Sequence, residues 1–231
     1  MSTNEKQGVL LLSGGLDSAT VAAMAQADGW TLHALSFDYG QKQRVELERA
    51  RDLAAQYRLR SHTVFKVDLG QFGQSALTDD AIEVPKDRDL AAIGEGIPST
   101  YVPARNTVFL SLGLALAESL SVRHLFIGVN ALDYSGYPDC RPDFIRAFER
   151  LANAGTRAAD GGAPYQVHAP LLELTKAQII EAGLKLGVDY GLTRSCYEVD
   201  QDGTSCGQCD ACVLRLAAFE TLGQRDPIPY R

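Results

Sequence analysis

The sequence predicts an α/β fold, in which a mostly parallel sheet carries helices on both faces and a small metal-binding segment follows. Short apolar stretches of strand length alternate along the chain with longer stretches of helical length. Repeated strand–helix units of this kind pair their strands in parallel through right-handed crossovers. Four cysteines crowded between residues 196 and 212 predict the additional segment. We therefore divide the chain into a main domain, residues 1–190, and a four-cysteine segment, residues 191–231.

The first strand–helix unit has the clearest signal. Four consecutive apolar residues, 9–12, predict a buried strand, and residues 19–27, which contain no proline or glycine, predict a helix. Further strands are predicted at residues 31–37, 61–67, 122–128 and 165–169, and further helices at residues 43–57, 106–119, 142–159, 176–186 and 210–222. Ligands bind at the carboxyl ends of parallel strands. We therefore expect the loops that contain Ser13, Asp38 and Asn130 to meet at one cleft.

Residues 72–101 interrupt this pattern. They combine glycine, proline and charged residues with little periodicity, and a loop of this length in a compact domain is usually functional or disordered. We interpret the segment as a mobile cover over the cleft, and a surface insertion is the alternative.

The turn between the first strand and the first helix has the character of an anion site. Its sequence is Ser-Gly-Gly-Leu-Asp-Ser over residues 13–18. A glycine-rich turn before a helix aims several backbone N–H groups at one point, where the helix dipole adds partial positive charge, and phosphate is the natural ligand. The turn lacks both the lysine of the G-x-x-x-x-G-K-[ST] loop and the G-x-G-x-x-G fingerprint. An ordinary glycine turn is the alternative.

Composition and charge narrow the classes of function. The 231 residues are 45% hydrophobic and 22% charged, as in globular proteins with a core, and the formal net charge is −7. A protein held on nucleic acid by phosphate neutralisation usually has a basic surface, so this class is disfavoured. The polar first seven residues do not resemble a signal peptide, and the apolar residues 108–117 are too few to span a membrane. We expect a cytoplasmic protein that acts on small molecules.

Four of the five cysteines form a candidate metal centre. Their spacing is C-x9-C-x2-C-x2-C, and in a reducing compartment clustered thiolates indicate a metal rather than disulfides. Four thiolates leave no open position on a tetrahedral ion, which describes structural zinc. An iron–sulfur cluster is the alternative, although the C-x3-C-P continuation of bacterial ferredoxins is missing. The predicted ligands are Cys196, Cys206, Cys209 and Cys212. Cys140 stands apart and is more naturally a packing residue than a nucleophile.

Further motifs accompany the glycine-rich turn. They are FDYGQ at residues 37–41, VPARN at 102–106, GVNALDYSGYPDCR at 128–141, PLL at 170–172, TK at 175–176 and SCY at 195–197. The turn itself resembles the pyrophosphate loop (PP-loop) of the ATP pyrophosphatase superfamily. With these motifs and the four cysteines, nearly the whole chain resembles the 7-cyano-7-deazaguanine (preQ0) synthases of queuosine biosynthesis. The resemblance implies a PP-loop fold of the adenine nucleotide alpha hydrolase-like type.

The resemblance also implies the reaction of an ATP-dependent ligase. In this family 7-carboxy-7-deazaguanine, ammonia and ATP give the nitrile, AMP and pyrophosphate, and Mg²⁺ accompanies ATP. The carboxylate is adenylated first, and ammonia displaces AMP to give an amide. A second adenylation, on the amide oxygen, allows loss of AMP and leaves the nitrile. The leaving pyrophosphate must be held as its charge develops.

The resemblance assigns roles to residues of the PP-loop. The implied ATP-binding residues are Leu10, Leu11, Leu12, Ser13, Gly14, Gly15, Leu16, Asp17 and Ser18. Ser18 would donate to phosphate, and Asp17 would either hold Mg²⁺ or order the loop by capping. Lys176, at a helix start that Thr175 caps, would offset charge on the α-phosphate, unless it is an ordinary solvated lysine. Asp17, Ser18 and Lys176 are the catalytic residues that we predict.

The GVNALDYSGYPDCR motif is the implied substrate loop. A carboxylate, Asp133 or Asp139, would accept two hydrogen bonds from adjacent N–H groups of a guanine-like base. Tyr134 or Tyr137 would stack on the ring. Arg141 would meet the substrate carboxylate.

Two other functions are compatible with a PP-loop. If the protein were an RNA-thiolating enzyme, we would expect a basic surface and, with an iron–sulfur centre, a coloured protein. Both the acidic net charge and the four-cysteine pattern argue against this function. A non-catalytic adenine-nucleotide sensor predicts ATP binding without pyrophosphate release, and the separate substrate loop argues for a second substrate. A homodimer is compatible with the sequence.

Overall fold

A five-stranded parallel sheet lies at the centre of the protein. The computed structural model describes residues 5–90, 92–93, 96–132, 136–200 and 202–231. The strands are β1 (Gln7–Leu11), β2 (Thr31–Asp38), β3 (Ser61–Lys66), β4 (His124–Phe126) and β5 (Gln166–His168). Their order is β3-β2-β1-β4-β5, and every neighbouring pair is parallel. The chain therefore extends the sheet from β1 to one side and then returns to add β4 on the other.

Helices cover both faces of this sheet. They are α1 (Leu16–Ala27), α2 (Val45–Gln56), α3 (Arg105–Ser119), α4 (Pro142–Ala154), α5 (Lys176–Lys185) and α6 (Asp210–Thr221). Alternate side chains of β1 point to opposite faces. Val9 and Leu11 pack in a core with α3 and α4, whereas Leu10 packs in a second core with α1, α2, α5 and α6. None of the helices in the described ranges is long and apolar enough to cross a membrane.

The predicted strands and helices are confirmed in order and type, with a difference in length at α4. The sequence predicts a helix over residues 142–159, but α4 ends at Ala154 and Gly155 follows it. The Thr156 hydroxyl then accepts a hydrogen bond from the Ala158 N–H and begins a separate 3-10 turn, Arg157–Asp160. A threonine that satisfies a backbone donor locally favours such a turn over a continuing helix.

The segment between β3 and α3 packs against the four-cysteine segment. Lys86 pairs with Cys209 in an isolated antiparallel bridge, and the Arg88 guanidinium forms an ion pair with Asp210. Among the described residues between 72 and 101, Leu77 alone lines the cleft at the carboxyl ends of the central strands. The role of this segment as a cover stays a prediction, and its described contacts join it to the four-cysteine segment.

Buried contacts tie α6 and the residues after it to the rest of the chain. Arg215, which is 1% exposed, donates to both carboxylate oxygens of Asp226 at 2.6 and 2.9 Å. It also donates to the Tyr190 carbonyl at 2.9 Å and to the Thr193 hydroxyl at 2.7 Å. Phe219 of α6 packs in the same core as α1. The division of the chain at residue 190 stays a proposal.

We expect Asp226→Ala to lower the free energy of unfolding by about 3–5 kcal/mol, because it leaves Arg215 as an unpaired buried charge. Urea unfolding followed by circular dichroism measures the change. The control is Lys185→Gln, which removes an exposed pair with Glu181 on α5 and should lower the free energy of unfolding by less than about 0.5 kcal/mol. Equal small effects of the two substitutions would contradict the stabilising role of the buried pair.

Candidate active site

A cleft opens at the carboxyl ends of β1 and β4. The order of the sheet changes direction between these strands, and this is where open α/β sheets bind ligands. The loops after β1, β2 and β4 all line the cleft, as the sequence predicts. Gly128, just after β4, lies so close to α1 that a β-carbon there would be 3.0 Å from the Ser18 backbone nitrogen. A glycine is therefore needed for the two loops to meet.

The loop after β1 is tightly wound. Gly14 has a φ of +85°, and a β-carbon at this position would lie 2.3 Å from the Glu46 carbonyl oxygen in α2. The Ser18 hydroxyl accepts from the Ser13 N–H at 3.3 Å and donates to the Gly15 carbonyl at 3.1 Å. The turn is thus held at the N-terminus of α1, where the backbone and the helix dipole favour an anion.

Arg194 and Ser195 form a strap that supports this loop from outside. The Arg194 N–H donates to the Gly14 carbonyl at 3.1 Å, and the Ser195 hydroxyl accepts from the Leu16 N–H at 3.5 Å. The Arg194 guanidinium is itself bound to backbone carbonyls, among them Gly191 at 2.9 Å. Sequence reasoning missed this support. The SCY motif at residues 195–197 marked this part of the chain, but no local sequence pattern shows which loop the motif contacts.

Asp17 and Lys176 form an ion pair beside the loop. The Lys176 Nζ lies 2.9 and 3.0 Å from the two carboxylate oxygens of Asp17, and the lysine side chain is buried. The predicted Thr175 cap of α5 is confirmed, as part of a capping box with Gln178. The alternative of a solvated Lys176 is wrong, because the helix start points this side chain into the cleft. A positive charge is therefore fixed next to the predicted phosphate site.

The predicted ATP-binding residues divide between the cleft and its supporting layer. Those that line the cleft are Leu11, Leu12, Ser13, Gly15, Leu16, Asp17 and Ser18. Leu10 is fully buried in the core beneath α1, and Gly14 faces α2. These two residues shape the loop from behind.

The predicted substrate loop is partly within the described residues. Asp133 and Tyr134 lie outside them. Tyr137 lines the cleft, and its hydroxyl is hydrogen-bonded to the Thr100 hydroxyl at 2.7 Å. Burial raises the pKa of Tyr137, so the ring is neutral at pH 7. Its stacking on a substrate ring stays a prediction.

Asp139 and Arg141 flank Cys140, which lines the cleft. Asp139 is buried, and its carboxylate accepts a hydrogen bond of 2.9 Å from the Asn106 N–H in the first turn of α3. Arg141 is exposed and immediately precedes α4. Neither belongs to the described residues that line the cleft. Their roles toward a substrate stay predictions, whereas the contact of Asp139 with α3 is a definite structural one.

Aromatic and charged side chains from β2, α2 and α3 form the rest of the cleft. Phe37 and Phe109 stack with ring centroids 3.9 Å apart, and the Tyr39 ring centroid is 5.5 Å from that of Phe109. The Arg105 Cζ atom lies 5.8 Å from the Tyr39 ring centroid. Burial raises the pKa of Tyr39 to about 12 and that of Glu46 to about 7. Sequence reasoning assigned these five residues no role, although the FDYGQ and VPARN motifs contain three of them.

The four predicted metal ligands converge on one point. The sulfur atoms of Cys196, Cys206, Cys209 and Cys212 all lie within 4.8 Å of one another, and all four residues are buried. The Cys206 N–H donates to the Cys196 sulfur at 3.2 Å, and the Cys209 N–H donates to the Cys206 sulfur at 3.3 Å. Such bonds stabilise thiolates, and metal–sulfur bonds of about 2.3 Å suit a tetrahedral set. The residues therefore fit a structural metal ion with no open coordination position.

Cys140 is separate from this cluster. It lies in the wall of the cleft, where the Asn106 side chain donates to its sulfur at 3.4 Å. Burial raises the pKa of the thiol to about 12. Because the thiolate is the nucleophilic form, this environment supports the predicted packing role.

Known proteins resemble the chain over nearly its whole length. The family model described as queuosine biosynthesis protein QueC matches residues 7–223. A 7-cyano-7-deazaguanine synthase of Pseudomonas aeruginosa is 57% identical over 98% of this chain and 99% of its own. The synthase of Pseudomonas fluorescens is 55% identical over 100% of this chain and 98% of its own. A solved structure of an NMN synthetase from Francisella tularensis is 19% identical to this chain, with a TM-score of 0.50. The match covers 96% of this chain and 78% of that one. At this level of identity, the similarity shows a shared fold and nothing more.

We expect Cys209→Ser to lower the metal content of the purified protein well below one ion per chain, because the site loses one of four thiolates. Elemental analysis by mass spectrometry measures this. The strap should loosen as well, since Ser195 directly precedes a ligand, and limited proteolysis should cut residues 191–212 sooner than in the wild type.

Cys140→Ser is the matched control for metal content, because Cys140 lies outside the cluster. Its metal content should equal that of the wild type. A full complement of metal in the Cys209 variant, or equal loss in both variants, would contradict the assignment of the ligands.

Proposed function

The chain belongs to the QueC family of queuosine-biosynthesis proteins, and we propose that it is an ATP-dependent carbon–nitrogen ligase that converts 7-carboxy-7-deazaguanine and ammonia to 7-cyano-7-deazaguanine. The observation that carries the proposal is a single cleft with two chemically different walls. The PP-loop and Lys176 suit a triphosphate, and the aromatic wall suits a flat heterocycle. The curated relatives at 55–57% identity bear the name of this enzyme.

The first half of the reaction activates the acid. A carboxylate oxygen of the substrate attacks the α-phosphorus of ATP, and the bond from that phosphorus to the pyrophosphate oxygen breaks. N–H groups of the PP-loop and the hydroxyls of Ser13 and Ser18 hold the departing pyrophosphate as its charge develops. Lys176, fixed by Asp17, lies beside the α-phosphate. Ammonia then attacks the acyl carbon, AMP leaves with the acyl oxygen, and loss of a proton from nitrogen gives the amide.

The second half uses the same groups. The amide oxygen attacks the α-phosphorus of a second ATP, and pyrophosphate leaves again. Loss of AMP and of both amide protons leaves the nitrile. One cleft serves both halves because a carboxylate and a primary amide have nearly the same shape, and two ATP molecules are consumed for each nitrile formed.

Zinc is the metal that we propose for the four-cysteine site, because Zn²⁺ favours tetrahedral thiolate sets and a closed set suits a structural role. Mg²⁺ would accompany ATP and neutralise charge on its phosphates. Asp17 is the carboxylate of the PP-loop that would hold it, and the same carboxylate is paired with Lys176.

The proposed partners are ATP, ammonia and 7-carboxy-7-deazaguanine, with neither nucleic acid nor a membrane, in the cytoplasm. A net charge of −7 disfavours the RNA substrate of a thiolating enzyme. The synthase name of the relatives supports a ligase over that enzyme and over a nucleotide sensor. A homodimer is compatible with this function.

Incubation with ATP, ammonium and 7-carboxy-7-deazaguanine tests the proposal, with products followed by mass spectrometry. We expect the nitrile, a transient amide and two AMP per nitrile. ATP binding with no AMP formed would support the sensor instead, and a thiolated RNA product would support the alternative enzyme.

We expect Asp17→Asn and Ser18→Ala each to lower turnover on the order of a hundredfold, because each removes a preorganised group beside the leaving pyrophosphate. Thermal unfolding should change little by comparison. Lys185→Gln, on the exposed part of α5, is the control and should retain wild-type turnover. Near-normal turnover in both loop variants would show that ATP reacts elsewhere.

A further inference from the structure

Arg105 has a position in the cleft that the reaction scheme above does not use. It is the first residue of α3, and its side chain lines the cleft. The residues on either side are anchored. The Ala104 N–H donates to the Tyr101 hydroxyl at 3.0 Å, and the Asn106 N–H donates to the Asp139 carboxylate at 2.9 Å. The backbone therefore holds Arg105 in one place at the edge of the aromatic wall.

One carboxylate, that of Asp139, acts electrostatically on the Arg105 guanidinium, and the other groups around the guanidinium are mostly neutral. Its carbon Cζ lies 5.8 Å from the centroid of the Tyr39 ring. Burial raises the pKa of the Tyr39 hydroxyl and of the Cys140 thiol to about 12, so both are uncharged at pH 7. Glu46 interacts with Arg105 electrostatically, but burial raises its pKa to about 7, so that it is only partly ionised. Arginine itself is always charged.

The other cations that line the cleft have partners. Lys176 is paired with Asp17, and Arg215 is paired with Asp226. Lys42 lies 3.8 Å from the Asp80 carboxylate and donates to the Ile82 carbonyl at 3.1 Å. The Arg194 guanidinium is bound to backbone carbonyls, as described for the strap. Within the ranges that the structure describes, no carboxylate forms an ion pair with Arg105. Arg105 is half-buried, and a half-buried guanidinium without an ion-paired carboxylate carries a desolvation penalty that a bound anion would relieve.

We propose that Arg105 binds the carboxylate of the acid substrate. The assignment rests on the function proposed above and deepens it. Two anions enter this cleft, and the aromatic side chains of Phe109 and Tyr39 beside Arg105 favour the acid on a flat ring over the triphosphate. Both Arg105 and Asp17 act electrostatically on Cys140. Arg105, Asp17 and Cys140 all line one cleft, so a carboxylate on Arg105 lies in the same cavity as the proposed phosphate site.

This assignment makes the site sensitive to the chemical state of the bound molecule. The acid is an anion and forms two charge-assisted hydrogen bonds with a guanidinium. The amide and the nitrile are neutral, and Arg105 can offer them only an ordinary hydrogen bond. Arg105 therefore selects the acid on entry and holds the nitrile weakly, which favours product release.

The experiment compares Arg105→Gln with the wild type on two substrates, the acid and the amide 7-amido-7-deazaguanine. We expect kcat/KM for the acid to fall about a hundredfold or more, because a close charge pair is lost. We expect kcat/KM for the amide to fall less than about tenfold, and the Kd for ATP measured by calorimetry to be unchanged. Arg105→Lys keeps the charge without the planar fork and should recover part of the activity on the acid.

Two further arginine variants serve as comparisons. Arg150→Gln removes one positive charge from the exposed side of α4 and should leave both activities unchanged. Arg141→Gln tests the arginine of the predicted substrate loop. If Arg141→Gln, rather than Arg105→Gln, causes the loss specific to the acid, the assignment to Arg105 is wrong.

The remaining outcomes also decide the question. Weaker ATP binding in Arg105→Gln, with equal losses on acid and amide, would overturn the proposal in favour of a phosphate contact. If circular dichroism shows that Arg105→Gln is unfolded, the ratio of acid to amide activity in Arg105→Lys tests the proposal instead, and a ratio equal to that of the wild type contradicts it.

If the wild type converts neither substrate, the proposed function has failed. Calorimetry of the acid with wild type and with Arg105→Lys then shows whether Arg105 binds the carboxylate, and equal affinities would exclude it.

Discussion

The backbone conformation of the loop after β1 is the constraint on which the site depends. Gly14 adopts a positive φ directly against the backbone of α2, and Gly128 lets the end of β4 approach the start of α1. The strap then closes the loop from a third direction through the Arg194 N–H. Elements from three distant parts of the chain must therefore be in place before the N–H groups of this turn can converge on a phosphate.

The cleft combines two environments that suit different chemistry. Beside the PP-loop, Lys176 and Asp17 provide charge and hydrogen-bonding groups for phosphates. Beside β2 and α3, the rings of Phe37, Phe109 and Tyr39 line the cleft together with the guanidinium of Arg105. Both environments belong to one cavity, which is the arrangement that the proposed reaction of a nucleotide with an aromatic acid requires. The four-cysteine cluster adjoins this arrangement, since Ser195, which contacts the loop, directly precedes Cys196, and both residues line the cleft.

The sequence was informative where function depends on local pattern. The strands and helices follow from periodicity, and the metal ligands follow from the spacing of the cysteines, three of which lie within seven residues. The misses depend on contacts between distant residues. Ser195 contacts the N–H of Leu16, 179 positions away. The contact of Asp139 with the N–H of Asn106, 33 positions earlier at the start of α3, is also invisible in the local pattern. The early end of α4 was also missed, although Gly155 marked it.

The distance in sequence between the PP-loop and its strap has a consequence for how the protein becomes active during synthesis. The loop leaves the ribosome near the beginning of translation, whereas Arg194 and Ser195 follow on the order of ten seconds later at usual elongation rates. Until then, the nascent chain carries a glycine-rich turn whose carbonyl and N–H groups lack two of their partners. An incomplete chain consequently presents this turn without the Arg194 and Ser195 contacts that hold it in the finished protein. The conformation of the loop is therefore completed only after most of the chain has been made.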